Sequence, residues 1–165
     1  MHHINLPATA LNSADFAAYG AVLDLSSLGG RSINAGTSQR IDLPGPLDLH
    51  QRGGQPVLAV FRARAQALQG PWTLLERHRL GTQTFVPLAG ARCVVLVALG
   101  QDAPDPATLA AFQVEGHQGF TLHAATWHHP LIARDGGDFL VLERQGAEVD
   151  CEVVQLAVPV RLQLP

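Results

Sequence analysis

The chain is short, apolar and weakly acidic, and it contains no lysine. It has 165 residues, of which 47% are hydrophobic and 15% charged, and its formal net charge is −3. A chain of this length and composition can bury one sizeable core, so we expect residues 1–165 to form a single domain. The acidic balance excludes the basic surface of a nucleic-acid-binding protein. The absence of lysine excludes a lysine Schiff base, and with it the pyridoxal-phosphate enzymes.

The predicted secondary structure consists of many short strands and one short helix near the start of the chain. The 16 glycines and 11 prolines favour turns over long helices. The helix is predicted over residues 12–20, where Asn12 or Ser13 caps its start and Gly20 ends it. Strands are predicted over residues 22–25, 32–36, 39–43, 57–65, 72–78, 84–88, 92–99, 109–114, 119–122, 130–133, 138–144 and 151–155. This spacing predicts an all-β sandwich or barrel.

Signals for export, membrane insertion and disulfide bonding are missing from the sequence. The N-terminus lacks a basic region followed by a long apolar segment, and no apolar run reaches membrane-spanning length. Cys93 lies in an apolar run and is predicted to be a small core residue, whereas Cys151 lies among charged residues. Neither cysteine has a CxxC partner. We therefore expect a cytoplasmic protein without a membrane partner.

Two segments carry the strongest chemical signal. The first, residues 76–90, reads ERHRLGTQTFVPLAG, and the second, residues 127–130, reads WHHP. Glu76 and His78 are two positions apart, so both side chains point to one face of a strand. A carboxylate, an amide and two or three imidazoles that meet inside one barrel suit acid/base chemistry or metal ligation on a small molecule.

The spacing of these residues matches that of the cupin barrel, with two exchanges of residue type. Glu76, His78, Gln83 and Gly90 stand where the first cupin motif has two histidines, a glutamate and a glycine, and His128 stands at the histidine of the second motif. Glutamine is a weak metal ligand, so the altered set permits a metal-assisted site as well as metal-free acid/base chemistry. Candidate metal ligands are Glu76, His78, Gln83 and His128.

The same segments resemble the bacterial ureidoglycolate lyase family, whose members were long called ureidoglycolate hydrolases. The likeness rests on the strings ERHRLGTQTFVPL, VVLVALG and TWHHPL and extends from about Phe16 to Val153. It implies a cupin-like barrel that cleaves (S)-ureidoglycolate to glyoxylate and urea in allantoin and purine-nitrogen catabolism. It also implies a carbon–nitrogen lyase of the amidine-lyase type, a divalent metal such as nickel, and a homodimer.

The residues that bind a carboxylate-bearing substrate are predicted from chemistry and from this resemblance. Arginine binds a carboxylate through two parallel hydrogen bonds, and Arg40 is the first candidate because it follows an Asn-x-Gly stretch similar to that of the family. Arg62 and Arg144 are the reserves. Other candidate substrate-binding residues are Asn34, Gln83 and His129.

The predicted catalytic residues are Glu76, His78 and His128. Either histidine can take the hydroxyl proton, while Glu76 orients an imidazole or protonates the leaving nitrogen. His129 is the alternative to His128 as the histidine that faces the pocket. Adjacent residues of an extended stretch point in opposite directions, so only one of the two can do so.

The same residues also permit less specific interpretations. Glu76 can form a surface ion pair with a neighbouring arginine, and His78 can be a satisfied core histidine. The functional alternatives are another cupin enzyme, such as a metal-dependent dioxygenase or isomerase, and a non-catalytic small-molecule-binding cupin.

Overall fold

The structure is a computed structural model that describes residues 2–165, and strands dominate it. One short helix, α1, covers Ser13–Phe16, and short 3-10 turns cover Leu25–Ser27, Asn34–Gly36, Gln51–Gly53 and Pro106–Thr108. The strands are Ile4–Ala10 (β1), Gly20–Asp24 (β2), Arg31–Ile33 (β3), Ser38–Arg40 (β4), Gln55–Ala63 (β5), Trp72–Arg77 (β6), Gln83–Pro87 (β7), Cys93–Ala98 (β8), Ala110–Val114 (β9), Gln118–Leu122 (β10), Trp127–His128 (β11), Ile132–Ala133 (β12), Gly137–Gln145 (β13) and Glu152–Gln163 (β14). Among the described residues, no helix is long and apolar enough to span a membrane.

Six strands close into a barrel, and a second sheet packs against it. The barrel order is β11-β6-β14-β1-β9-β8, and pairing of β11 with β8 closes the ring. The second sheet has the order β2-β10-β7-β13-β5, and β3 and β4 form a separate hairpin. The prediction of an all-β, cupin-like barrel with one short N-terminal helix is confirmed.

Strand β8 separates two hydrophobic clusters. Its odd-numbered residues Cys93, Val95 and Val97 belong to the cluster between the two sheets, which includes Phe85, Phe120 and Phe139. Its even-numbered residues Val94, Leu96 and Ala98 belong to the cluster of the barrel interior, which includes Leu75 and Trp127. Burial on both faces explains why this stretch reads as an uninterrupted apolar run instead of an alternating one. The prediction that Cys93 is a core residue is also confirmed.

The N-terminal strand and most of the C-terminal strand were not predicted. The predicted helix at residues 12–20 is limited to α1, with the Asn12 side chain accepting from the Asp15 amide, and Gly20 is the first residue of β2. Residues Ile4–Ala10, which include Pro7, show little strand signal of their own, and they form β1 because β14 and β9 pair with them in parallel on either side. Strand β14 runs on to Gln163 through the same contact. Pairing between distant segments decides both strands, and a local pattern does not reveal it.

Candidate active site

Two cross-strand pairs face each other in the space between the sheets. On the barrel, Glu76 of β6 lies directly opposite His128 of β11. On the second sheet, Gln83 of β7 lies opposite Glu143 of β13. Strand alternation sends Leu75 and the other neighbours of Glu76 into the barrel, so Glu76 itself is directed at the second sheet. The fold thus places the polar side chains of these two pairs in the otherwise apolar layer between the sheets.

Glu76, His78 and His128 form a compact cluster. The His128 Nε2 atom lies 3.6 Å from Glu76 Oε1, and the His78 Nε2 atom lies 4.0 Å from the same oxygen. The ligand atoms of the three side chains all lie within 4.8 Å of one another. His128 is 3% exposed, whereas His78 and Glu76 are partly buried. A carboxylate and two imidazoles, predicted from their spacing, are therefore brought to one point.

Hydrogen bonds to the backbone fix which nitrogen of each histidine faces the cluster. His78 Nδ1 lies 2.7 Å from the Asp150 carbonyl oxygen, and His128 Nδ1 lies 2.9 Å from the Thr126 carbonyl oxygen. A carbonyl only accepts, so each neutral imidazole carries its hydrogen on Nδ1 and directs the lone pair of Nε2 into the cluster. Both Nε2 atoms are buried and have no hydrogen-bond partner among residues 2–165. These two acceptors are available to bind a metal ion or to take a proton.

Gln83 completes the cluster from the second sheet. Its Nε2 atom donates to Glu143 Oε2 at 2.8 Å, which fixes the orientation of the amide. The opposite atom, Gln83 Oε1, is buried and has no hydrogen-bond partner. Gln83 lines the same cavity as Glu76 and His128, so Glu143 is a positioning residue for a third unpaired acceptor beside the cluster.

The electrostatic setting keeps Glu76 ionised. A hydrogen bond from His128, when its imidazole is protonated, is the main influence that lowers the pKa of Glu76, and it outweighs burial, which acts in the opposite direction. The Cys151 thiol donates to Glu76 Oε2 at 3.6 Å. Partial burial and the Glu76 charge both raise the pKa of Cys151, so it stays a neutral thiol beside the carboxylate. The cluster therefore contains one ionised carboxylate beside two imidazoles.

The cluster is open on two sides. A cavity of about 410 Å³, here called the Arg64 cavity, is lined by apolar residues and by six polar ones: Arg62, Arg64, Gln66, Glu76, Gln83 and His128. A cavity of about 270 Å³, here called the acidic cavity, is lined by His78, Gln83, Glu143, Glu148 and Asp150, among others. Gln83 borders both, so the cluster lies between them.

Three predicted substrate-binding residues lie away from the cluster in this chain. Asn34 is in the turn of the β3–β4 hairpin, and Arg40 on β4 forms an ion pair with Asp42 at 2.7 Å. Both are outside the residues that line the two cavities. The ring of His129 packs against Trp72 with centroids 4.7 Å apart, and His129 lines a small cavity together with His128 without belonging to the cluster. Burial lowers the pKa of His129. Their roles in binding stay predictions.

Sequence reasoning did not single out Glu143. Its signal was present in the predicted strand at residues 138–144, where Glu143 shares a face with the buried Phe139 and Val141. A carboxylate on an otherwise apolar face of a strand is unusual without a partner. The partner, Gln83, becomes apparent only when β7 and β13 are paired.

The donor set fits a divalent metal ion. Each histidine donates its other ring hydrogen to a backbone carbonyl, as metal-binding histidines commonly do. Ligand atoms bound to one ion at about 2.0–2.2 Å lie roughly 3–4 Å from one another, which agrees with the separations of 3.6 Å and 4.0 Å around Glu76. Two imidazoles, a carboxylate and an amide oxygen suit a first-row divalent metal.

Comparison with known proteins identifies the family of this chain. The profile of the family described as ureidoglycolate lyase matches residues 3–163. A ureidoglycolate lyase of Burkholderia cepacia is 37% identical over 144 residues, which are 86% of this chain and 80% of that protein. Ureidoglycolate lyases of Salmonella paratyphi B and Salmonella typhimurium are each 37% identical over 151 residues, 91% of this chain and 93% of theirs. The chain belongs to the ureidoglycolate lyase family.

Proposed function

We propose that this protein is a ureidoglycolate lyase that cleaves (S)-ureidoglycolate to glyoxylate and urea, as a carbon–nitrogen lyase of the amidine-lyase type. The observation that carries the proposal is the pair of buried, unpartnered Nε2 lone pairs of His78 and His128 beside an ionised Glu76. Family membership supplies the substrate class. The place of the reaction in allantoin and purine-nitrogen catabolism follows from the same likeness.

The reaction needs one proton moved and one bond broken. The substrate carbon bears a hydroxyl, a carboxylate, a hydrogen and the ureido nitrogen. When the hydroxyl loses its proton, the C–O bond becomes the C=O of glyoxylate and the C–N bond breaks, with its electron pair passing to nitrogen. The nitrogen takes up one proton and leaves as urea. Water is not consumed, so a base and an acid suffice and no nucleophile is required.

The histidines are proposed to move this proton. A neutral imidazole with its hydrogen held on Nδ1 accepts the hydroxyl proton at Nε2 and then gives it to the departing nitrogen. The lowered pKa of Glu76 favours the orienting role over the proton-donating role, because an ionised carboxylate stabilises the imidazolium that forms. Glu76, His78 and His128 are therefore the proposed catalytic residues.

As the alternative to proton transfer by these histidines, a divalent metal ion is proposed to be held by Nε2 of His78 and His128 and by Glu76, with Gln83 Oε1 as the weaker fourth ligand. Such an ion, nickel by resemblance to the family, would polarise the substrate hydroxyl and lower its pKa. The fit rests on the unpartnered Nε2 and Oε1 atoms. Metal content after purification without added ions, measured for the wild-type protein and for His78→Ala, tests the assignment independently of turnover.

The test of the proposed function is the release of glyoxylate and urea from racemic ureidoglycolate, with and without a chelator. We expect equal amounts of the two products at a rate well above the spontaneous one, with half of the racemate consumed quickly. Ammonia in place of urea would indicate a hydrolytic amidohydrolase and overturn the proposal. Activity that is lost with the chelator and returns with metal supports the metal site, whereas full activity without metal assigns the proton transfer to the histidines alone.

The protein is further proposed to form a homodimer. Strand β5 is at the edge of the five-stranded sheet, and it exposes Leu58 by 65% and Val60 by 51%. An open apolar edge of this kind favours pairing with another copy. Light scattering after size-exclusion chromatography tests the proposal. We expect a dimer for the wild-type protein and a monomer for Leu58→Glu, and a monomeric wild-type protein would contradict it.

The domain boundaries and the location of the protein stay predictions. Because β8 contributes to both hydrophobic clusters, residues 1–165 are expected to unfold in one cooperative transition, which calorimetry measures. Two separate transitions would contradict a single domain. Cytoplasmic location is tested by cell fractionation.

A further inference from the structure

The two cavities beside the cluster differ in charge. Two arginines and the carboxylate of Glu76 line the Arg64 cavity, whereas three carboxylates and one arginine line the acidic cavity. An anion is therefore less strongly disfavoured in the first cavity than in the second. Ureidoglycolate has a carboxylate at one end and N–H donors at the other, so the difference in charge favours one orientation of the substrate.

The arginines that line these cavities differ in how their guanidinium groups are used. Arg62 donates from Nε and Nη2 to the Asp138 carboxylate, at 2.9 Å and 3.0 Å. Arg144 in the acidic cavity donates from Nε to the Gln51 carbonyl oxygen at 2.7 Å. Both groups are therefore already engaged.

Arg64 is different. Within residues 2–165 it has neither a side-chain hydrogen bond nor an ion pair, it is exposed, and it lines the same cavity as Glu76 and His128. It follows the end of β5, at the mouth of the cavity. Its guanidinium keeps its full set of donors for a ligand, in the planar arrangement that matches a carboxylate.

We propose that the substrate enters through the Arg64 cavity and that Arg64 binds its carboxylate, with the ureido group directed toward Gln83 and Glu143. This inference rests on the proposed function and adds the residue that selects for a carboxylate. The reacting carbon then lies between Arg64 and Gln83, beside the Nε2 atom of His128. The ureido N–H groups meet the acidic side, which the carboxylates of Glu143, Glu148 and Asp150 line.

The proposal is tested with Arg64→Gln and with a substrate that lacks the carboxylate, N-(hydroxymethyl)urea. For ureidoglycolate we expect the KM of Arg64→Gln to rise about 10–100-fold, the range for hydrogen bonds to a charged group, with kcat much less affected. For N-(hydroxymethyl)urea we expect the two proteins to behave alike. Arg134→Gln is the matched control: Arg134 is another exposed arginine, it lies outside both cavities, and its removal changes the net charge equally.

Three results would overturn the assignment. The first is an unchanged KM for ureidoglycolate in Arg64→Gln. The second is an equal loss with both substrates, because it would indicate a structural effect of the substitution. The third is a KM that rises in Arg40→Gln and not in Arg64→Gln, which would assign carboxylate binding to the hairpin.

A binding measurement separates this inference from the proposed function. Glycolate has the carboxylate and hydroxyl of the substrate, and its affinity is measured by isothermal titration calorimetry without turnover. Even if the wild-type protein releases neither glyoxylate nor urea, we expect Arg64→Gln to bind glycolate about 10–100-fold more weakly than Arg134→Gln. Equal glycolate affinities would overturn the role of Arg64 whatever reaction the protein catalyses.

Discussion

Both faces of strand β6 are lined by buried polar groups. On one face these groups have hydrogen-bond partners, whereas on the other face they do not. On the barrel side, Arg77 is 1% exposed and its guanidinium donates to the Glu152 carboxylate at 2.9 Å and 3.1 Å and to the Gly100 carbonyl oxygen at 3.1 Å. It also lies 4.0 Å above the ring of Trp127. On the other side, next to Glu76, the Nε2 atoms of His78 and His128 have no partner.

The buried polar groups on one face of β6 therefore serve stability, and those on the other face serve activity. A buried polar group that is fully bonded holds neighbouring elements in place, and its removal is felt in stability. A buried acceptor without a partner costs free energy in the empty site, which a ligand or a metal ion recovers on binding. Substitutions on the barrel side of β6 should therefore reduce stability, and those on the cluster side should reduce activity.

The largest effect is expected for His128→Asn on activity. The asparagine amide can keep the hydrogen bond to the Thr126 carbonyl, whereas the lone pair of Nε2 is lost. We expect kcat to fall about 10²–10⁴-fold, the usual contribution of general acid/base catalysis, with little change in Tm. Steady-state kinetics and calorimetry measure both. His117→Asn, at an exposed position, is the control that keeps activity. Full activity in His128→Asn would contradict this difference between the two faces of β6.

Arg77→Leu is expected to have the largest effect on stability. It removes a buried guanidinium with three bonds and its contact with Trp127, so the free energy of unfolding should fall by about 3 kcal/mol or more. Denaturant unfolding measures it. The matched control is Arg79→Leu, because Arg79 also donates to Glu152, at 2.8 Å, but is exposed, and we expect less than about 1 kcal/mol there. Equal effects of the two substitutions would contradict the structural role of Arg77.

A smaller effect is expected at Glu143, which acts on the cluster through Gln83. Glu143→Met leaves the Gln83 amide without its acceptor, and we expect activity to fall about 10–100-fold, as for other residues that orient a ligand. Glu143→Gln keeps an acceptor oxygen and should restore most of that activity. If the two variants lose activity equally, the charge of Glu143 matters and its positioning of Gln83 does not.

The smallest effect is a pH dependence on the barrel side. Hydrogen bonds from Arg77 and Arg79 lower the pKa of Glu152 from 4.5 to about 2. Because the pKa is lower in the folded state, the stabilisation is complete above about pH 4.5 and is lost as the pH falls toward 2. We expect wild-type Tm to fall more steeply than that of Glu152→Gln in this window. Parallel Tm curves would contradict the shift.

Much of the fold was predictable because local patterns decide it. Alternation in residues 57–65 is visible in the sequence, and β5 buries Val57, Ala59 and Phe61 more deeply than the residues between them. The strands predicted over residues 32–36 and 39–43 exist but are shorter, as β3 and β4, because Asn34–Gly36 forms a 3-10 turn between them. The N-terminal strand was missed because its stability comes from β9 and β14, which are more than a hundred residues away along the chain.

The sequence by itself determined the chemistry that is available: an all-β chain with Glu76 and His78 on one face, Gln83 and His128 at cupin spacing, and a likeness to one family. These follow from the two-residue period of a strand and from motif spacing, both of which are local. Only the tertiary structure decided that His128 and not His129 joins the cluster, that Glu143 holds Gln83, and that Arg64 lines the cavity with its donors unused. Those outcomes depend on which strands pair and which residues line the cavities. Both are set by packing between segments that are distant in the sequence.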